Sequence, residues 1–131
     1  MSAAAVKPWP VEIRLKQADK ALEIDFDDGR KVRLPAELLR VESPSAEVRG
    51  HGPGEKQIVA GRRHVGILGV EPVGNYAIRI KFDDLHDTGI YSWEYLYELG
   101  VEQDRLWREY LENLEKRGLS RDPRAMKKPS A

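Results

Sequence analysis

The sequence predicts an α+β domain: a mainly antiparallel β-sheet with C-terminal helices packed on one face in two layers. Three observations carry the prediction. Short stretches with alternating apolar residues come first, at Val11, Ile13 and Leu15, then Leu22, Ile24 and Phe26, then Val32 and Leu34, and later Tyr76, Ile78, Ile80 and Phe82. That is the period of half-buried strands. After Ser92 the spacing becomes helical, with Trp93, Leu96, Tyr97 and Leu99, then Leu106, Trp107, Tyr110, Leu111 and Leu114. Strands followed by helices, rather than alternating with them, is the α+β order.

The elements follow in turn. Residues 1–10 read as a loose lead-in, because Pro8 and Pro10 flank Trp9 and block regular pairing. Residues 11–118 form the domain. Its first three strands make a meander, with Asp27-Asp28-Gly29 as the hairpin signal between the second and third. Pro35 opens a single helical turn, Ala36 to Arg40. Residues 41–56 are rich in Ser, Pro, Gly and charge and read as the long connection of the domain. Ile58 and Val59 open another strand, Val65 to Val70 continue, and Pro72 with Gly74 turns the chain into the strand ending at Phe82. Polar residues 83–88 break that strand; Gly89 suits a positive φ and Ser92 an N-cap. Gly100 suits the end of the first C-terminal helix, and Gly118 that of the second. Residues 119–131 carry Arg121, Arg124, Lys127 and Lys128 without apolar periodicity and read as a disordered basic tail.

Composition bounds the function. The 131 residues suit one domain, and 22 basic against 22 acidic residues leave no net charge. That balance gives no strong nucleic-acid signal and no attraction to an anionic membrane. Cysteine is absent, which removes disulfides, thiolate nucleophiles and thiolate metal sites. No apolar run reaches the ~20 residues of a spanning helix, so the expectation is a cytoplasmic protein.

Leu34-Pro35-Ala36-Glu37-Leu38-Leu39-Arg40, Ser43-Pro44-Ser45-Ala46-Glu47-Val48, and Gly89-Ile90-Tyr91-Ser92-Trp93 followed by Leu96 resemble a known family. It is the small domain of unknown function at the N-terminus of γ-butyrobetaine hydroxylase, which bacteria also carry as a stand-alone protein. The resemblance spans residues 11–118. It implies that the iron and 2-oxoglutarate chemistry of the hydroxylases belongs to a separate, larger domain, so this chain is read as non-catalytic. In those hydroxylases the small domain holds a structural zinc through Cys-x-Cys-x-x-Cys and a later histidine. Those positions fall here on Ser43, Ser45, Val48 and His86. A serine hydroxyl is a poor zinc ligand and valine is none, so the site reads as degenerate, with no metal or other cofactor expected. The family pattern also has Asp-Gly-His where this chain has Asp84-Leu85-His86, a departure that bears on the turn before the histidine.

Candidate binding residues are Arg62, Arg63, His86, Tyr91 and Trp93. Arg62 and Arg63, with His64 and Lys56, have the charge to hold an anion, although a solvated charged loop has the same composition. His86 beside Asp83, Asp84 and Asp87 has the makings of an acid–base cluster, or of a turn rich in turn-forming residues. Metal on His51, His64 or His86 is the minor alternative. Tyr91 and Trp93 belong to an aromatic set of which most members suit a core and a subset suits a protein contact. The favoured reading is an interaction or adaptor domain with a protein partner. The resemblance adds a supporting role beside iron–sulfur cluster proteins or a dioxygenase, since similar domains occur fused to iron–sulfur carrier ATPases. The alternative is a small-molecule or metal-binding domain, or a small enzyme, built on His86 and its aspartates.

Overall fold

A computed structural model of the chain describes residues 7–45, 48 and 57–123. Two three-stranded antiparallel sheets form, rather than the single sheet of the sequence reading. The first has the order β1-β2-β3, from β1 (Pro10–Lys16), β2 (Ala21–Phe26) and β3 (Lys31–Pro35). The second has the order β4-β5-β6, from β4 (Ile67–Val73), β5 (Ala77–Phe82) and β6 (Ile90–Ser92). Between them lies α1 (Ala36–Val41); α2 (Trp93–Val101) and α3 (Gln103–Lys116) follow.

Alternation decides which faces meet. Leu22, Ile24 and Phe26 of β2, Val32 and Leu34 of β3, and Ile78, Ile80 and Phe82 of β5 enter one core with Leu38, Leu39, Tyr91, Leu96 and Leu99. Both sheets, α1 and α2 thus share one main apolar interior, the dominant stabilising term for a domain of this size, while Tyr110 and Leu114 of α3 form a second, smaller cluster with Val41. The outer faces are charged: Arg14 reaches Glu23 and Asp25 on the first sheet, and Glu71 takes Arg79 and Lys81 on the second. Hydrogen bonds from Lys81 and Arg79 lower the Glu71 carboxyl to about 2.

The hairpin at Asp27-Asp28-Gly29 forms as expected, with Gly29 at φ 91. Ser92 caps α2 by accepting from Tyr95 N at 3.0 Å, and Gly118 ends α3 at φ 66. Pro72 is tolerated in β4 because that strand is a sheet edge.

Four expectations change. Ile58 and Val59 belong to no strand; with Ala60 they pack on Val41, Tyr110 and Leu114, and Tyr110 Oη donates to Val59 O at 2.6 Å. Gly100 lies inside α2, where a Cβ would overlap the Val32 side chain, so close helix–strand packing explains it. Gly89 has no positive φ; a Cβ there would stand 2.6 Å from Ser43 Oγ. Residues 119–123 are held in place: Ser120 O and Arg121 O accept from Gly61 N and Arg63 N, each at 2.9 Å, and Arg121 grips the buried Glu37 with two bonds of 2.9 and 2.7 Å. Residues 1–6, most of the 41–56 connection and residues 124–131 lie outside the described residues, as do His51 and Lys56.

Candidate functional site

The turn after α1 and the turn between β5 and β6 meet in a polar knot. Two tyrosines fix its position: Tyr91 Oη donates to Leu39 O and Tyr95 Oη to Glu42 O, tying the end of α1 to β6 and α2. Ser43 Oγ and His86 Nε2 share a hydrogen bond of 2.9 Å, and Ser43 Oγ also accepts from Ser45 N at 3.2 Å. Ser45 Oγ lies 2.8 Å from Thr88 Oγ1, and Val48 N donates to Ser45 O at 2.9 Å. Ser43, Ser45, Val48 and His86 are all buried, so two segments more than forty residues apart are joined by hydrogen bonds and packing.

The residues at this knot do not fit zinc. Val48 brings no donor atom, the serine oxygens are neutral and already hydrogen-bonded, and His86 alone is a good ligand. Among the described residues no group of three His, Cys, Asp or Glu side chains is placed to hold a metal ion.

Beside the knot, His86 N donates to Asp84 Oδ1 at 3.1 Å, while Asp84 Oδ2 receives Arg40 Nε at 2.7 Å. Arg62 Nε stands 2.7 Å from that same oxygen as an ion pair without hydrogen-bond alignment. Burial pushes the Asp84 carboxyl up, but the Arg40 bond, the His86 N–H and the two guanidinium charges outweigh it and hold the group below the usual range. Asp83 Oδ1 accepts from Gly66 N at 3.0 Å. The aspartates before His86 are therefore structural anchors of the turn.

A different surface carries exposed aromatics. Trp9, half exposed, meets Trp93 edge to face with ring centroids 6.3 Å apart. Trp93 donates from Nε1 to Asn75 O and from its backbone N to Tyr76 O, which places the half-exposed Tyr76 on the adjacent turn. Lys7 and Glu94 form an exposed ion pair beside them.

The sequence candidates therefore separate. Trp93 is partly buried against the core and partly open to solvent, whereas Tyr91 is wholly buried and presents no ring to a partner. His86 sits in the knot, Arg62 joins Asp84, and Arg63 turns away to Asp122. His64 is exposed, and its carbonyl accepts from Lys20 Nζ at 2.9 Å. Two residues gain a role that periodicity did not give them: Trp9 and Arg40. A lone tryptophan between two prolines was the available signal for the first; nothing local marks the second. Tyr76, which alternation placed on one face with Ile78, Ile80 and Phe82, instead lies half exposed on the turn before β5.

The two sheets, the helices and the closed knot define a small α+β domain with buried polar joints between loops. The chain belongs to the gamma-butyrobetaine hydroxylase-like, N-terminal family, whose model matches residues 13–97. Two solution NMR structures resemble it. One is 45% identical, covering 95% of this chain and 98% of its own, with a TM-score of 0.78. The other is 46% identical, covering 94% and 92%, also at 0.78. A crystal structure of a DUF971 family protein of unknown function from Acidithiobacillus ferrooxidans ATCC 23270 is 44% identical over 70% of this chain and 91% of that one, with a TM-score of 0.59. No curated protein matches. The role of the family is unknown.

Proposed function

We propose that the chain is a non-catalytic interaction module that docks on a protein partner through the surface formed by Trp9, Tyr76 and Trp93. The observation that carries this reading is the edge-to-face Trp9–Trp93 pair, with one ring half exposed and the other held by its Nε1 bond to Asn75. Tryptophan and tyrosine supply large contact area at small entropy cost and dominate binding hot spots. An aromatic centre beside the charged Lys7–Glu94 pair matches the apolar core and polar rim of protein interfaces.

The match to a hydroxylase-like N-terminal family supports a dioxygenase as the partner. An iron–sulfur cluster protein is the other partner class that the resemblance implies. The competing reading, acid–base chemistry at His86, has less support: His86, Asp83 and Asp84 each hold a structural partner.

The test is affinity capture with mass spectrometry, followed by calorimetric titration of each purified candidate. Trp9→Ala and Tyr76→Ala remove exposed rings without opening the core, and each is expected to weaken binding about tenfold, a hot-spot loss. A purified partner that binds both variants as tightly as the parent chain would sink the docking surface.

A further inference from the structure

Among the described residues, two buried side-chain nitrogens have no hydrogen-bond partner: Arg40 Nη1 and Arg62 Nε. Both belong to the cluster around Asp84. Arg40 is more than nine-tenths buried, with its Nε bonded to Asp84 Oδ2. Arg62 keeps about a third of its side chain exposed and crowds the same carboxylate oxygen. Two guanidinium groups thus share one carboxylate, which leaves a unit of positive charge in excess; Arg62 Nη1 bonds Ala60 O at 3.1 Å, whereas Arg40 Nη1 has no acceptor. A buried donor without a partner loses its hydration and gains nothing in return, so native structures rarely leave one. Arg62 also lines a cleft of about 560 Å³ with Ala60, Gly61, Leu119, Ser120 and Asp122, the last with its carboxylate paired to Arg63.

We propose that the Arg40–Arg62 pair is an oxyanion site, taking a carboxylate or phosphate group that enters beside Arg62 along this cleft. Charge and donor geometry point the same way. Planar guanidinium groups bind carboxylate and phosphate oxygens through charge-assisted hydrogen bonds, shorter and stronger than neutral ones. One added anion neutralises the excess charge and supplies the missing acceptors. Asp84 holds the two arginines together and sets their charge; it is a positioning residue. The site is distinct from the aromatic surface, so either proposal can fail without the other.

The experiment titrates inorganic phosphate into the full chain at fixed ionic strength, with chloride as the reference salt and malonate as the carboxylate probe. Thermal unfolding and the NMR signals of the arginine Nε–Hε groups are followed together. Binding is expected to be saturable in the millimolar range, to raise the melting temperature, and to move the Arg40 and Arg62 signals ahead of those of other arginines. Arg62→Gln leaves Arg40 paired one-to-one with Asp84, so the fold should persist while affinity falls about tenfold, the loss of one charge-assisted donor. Arg105→Gln, on an exposed helix pair with Glu102 and Glu109, should leave affinity unchanged. Response to phosphate alone or malonate alone supports the site and fixes which oxyanion it prefers. The proposal is overturned if neither ligand gives a saturable response, if the shifts spread over all arginines, or if both variants weaken binding equally.

Discussion

Leu85 shows how one residue can work against its own turn. Its φ of 74 lies in the left-handed region, its side chain is 84% exposed, and its N donates to Phe82 O at 3.1 Å to close the turn before His86. A residue with a Cβ costs roughly 1–2 kcal/mol there. Leu85 therefore occupies, at an energetic cost, a left-handed position that glycine would take freely. Leu85→Gly removes the strain but adds freedom to the unfolded chain, which offsets roughly half the gain. The expected result is a stabilisation of about 0.5–1 kcal/mol in denaturant unfolding; a loss of stability would mean the leucine side chain makes a contact that its exposure conceals. Next to it, Asp84 ties acidity to stability. Its folded carboxyl titrates below the ordinary value, so its contribution is complete above that value and is lost as pH falls through the folded one. The parent chain should therefore lose stability below about pH 4 more steeply than Asp84→Asn, which has nothing to protonate. Parallel slopes for the two proteins in acid unfolding would remove Asp84 from the account.

Between residue and fold, the segment after α3 behaves as a strap. Arg121 bonds both oxygens of Glu37, which is 6% exposed, and its guanidinium lies 5.1 Å from the centre of the Trp107 ring. Gly61 and Arg63 donate backbone hydrogen bonds to the same stretch. Glu37 is a carboxylate on a short helix whose other residues are also buried, and Arg121 supplies its charge partner. Removing one member of a buried pair costs about 3–5 kcal/mol; here about 2–3 is expected, because Arg121 keeps nearly a third of its side chain in water. Arg121→Ala should show that loss, and the double variant with Glu37→Gln should recover part of it, since the stranded charge is then gone. Additive effects in the double variant would show that Glu37 does not depend on Arg121. The strap also explains why residues 61–63 follow no strand pattern: their backbone partners lie far along the chain.

For the whole molecule, what was legible is what local physics specifies. Alternation revealed β2, β3 and β5 because each buries one face, and Asp28-Gly29 and Ser92 marked a turn and a cap that need no distant partner. The split into two sheets was not legible, since periodicity fixes a strand's faces but not its neighbour. Arg40 was hidden for the same reason, because its partner Asp84 lies forty-four residues away. The knot was half visible: the four degenerate positions could be named, but not that Ser43 and His86 would bond directly. That bond leads to the last prediction, on what the fold needs from metal. Thiolates dominate the stability of closed zinc sites, and here two hydroxyls and a valine stand in their places, with the hydroxyls already engaged. Structural zinc contributes on the order of 10 kcal/mol to domains that depend on it. In this chain the apolar interior shared by both sheets and α2, closed by the Ser43–His86 and Tyr91–Leu39 bonds, takes over the task of holding the two turns together. Untagged protein should carry well under one zinc per chain by elemental analysis, and a strong chelator should leave its melting temperature unchanged. One zinc per chain with a chelator-dependent fall in melting temperature would overturn the argument and make His86 a ligand.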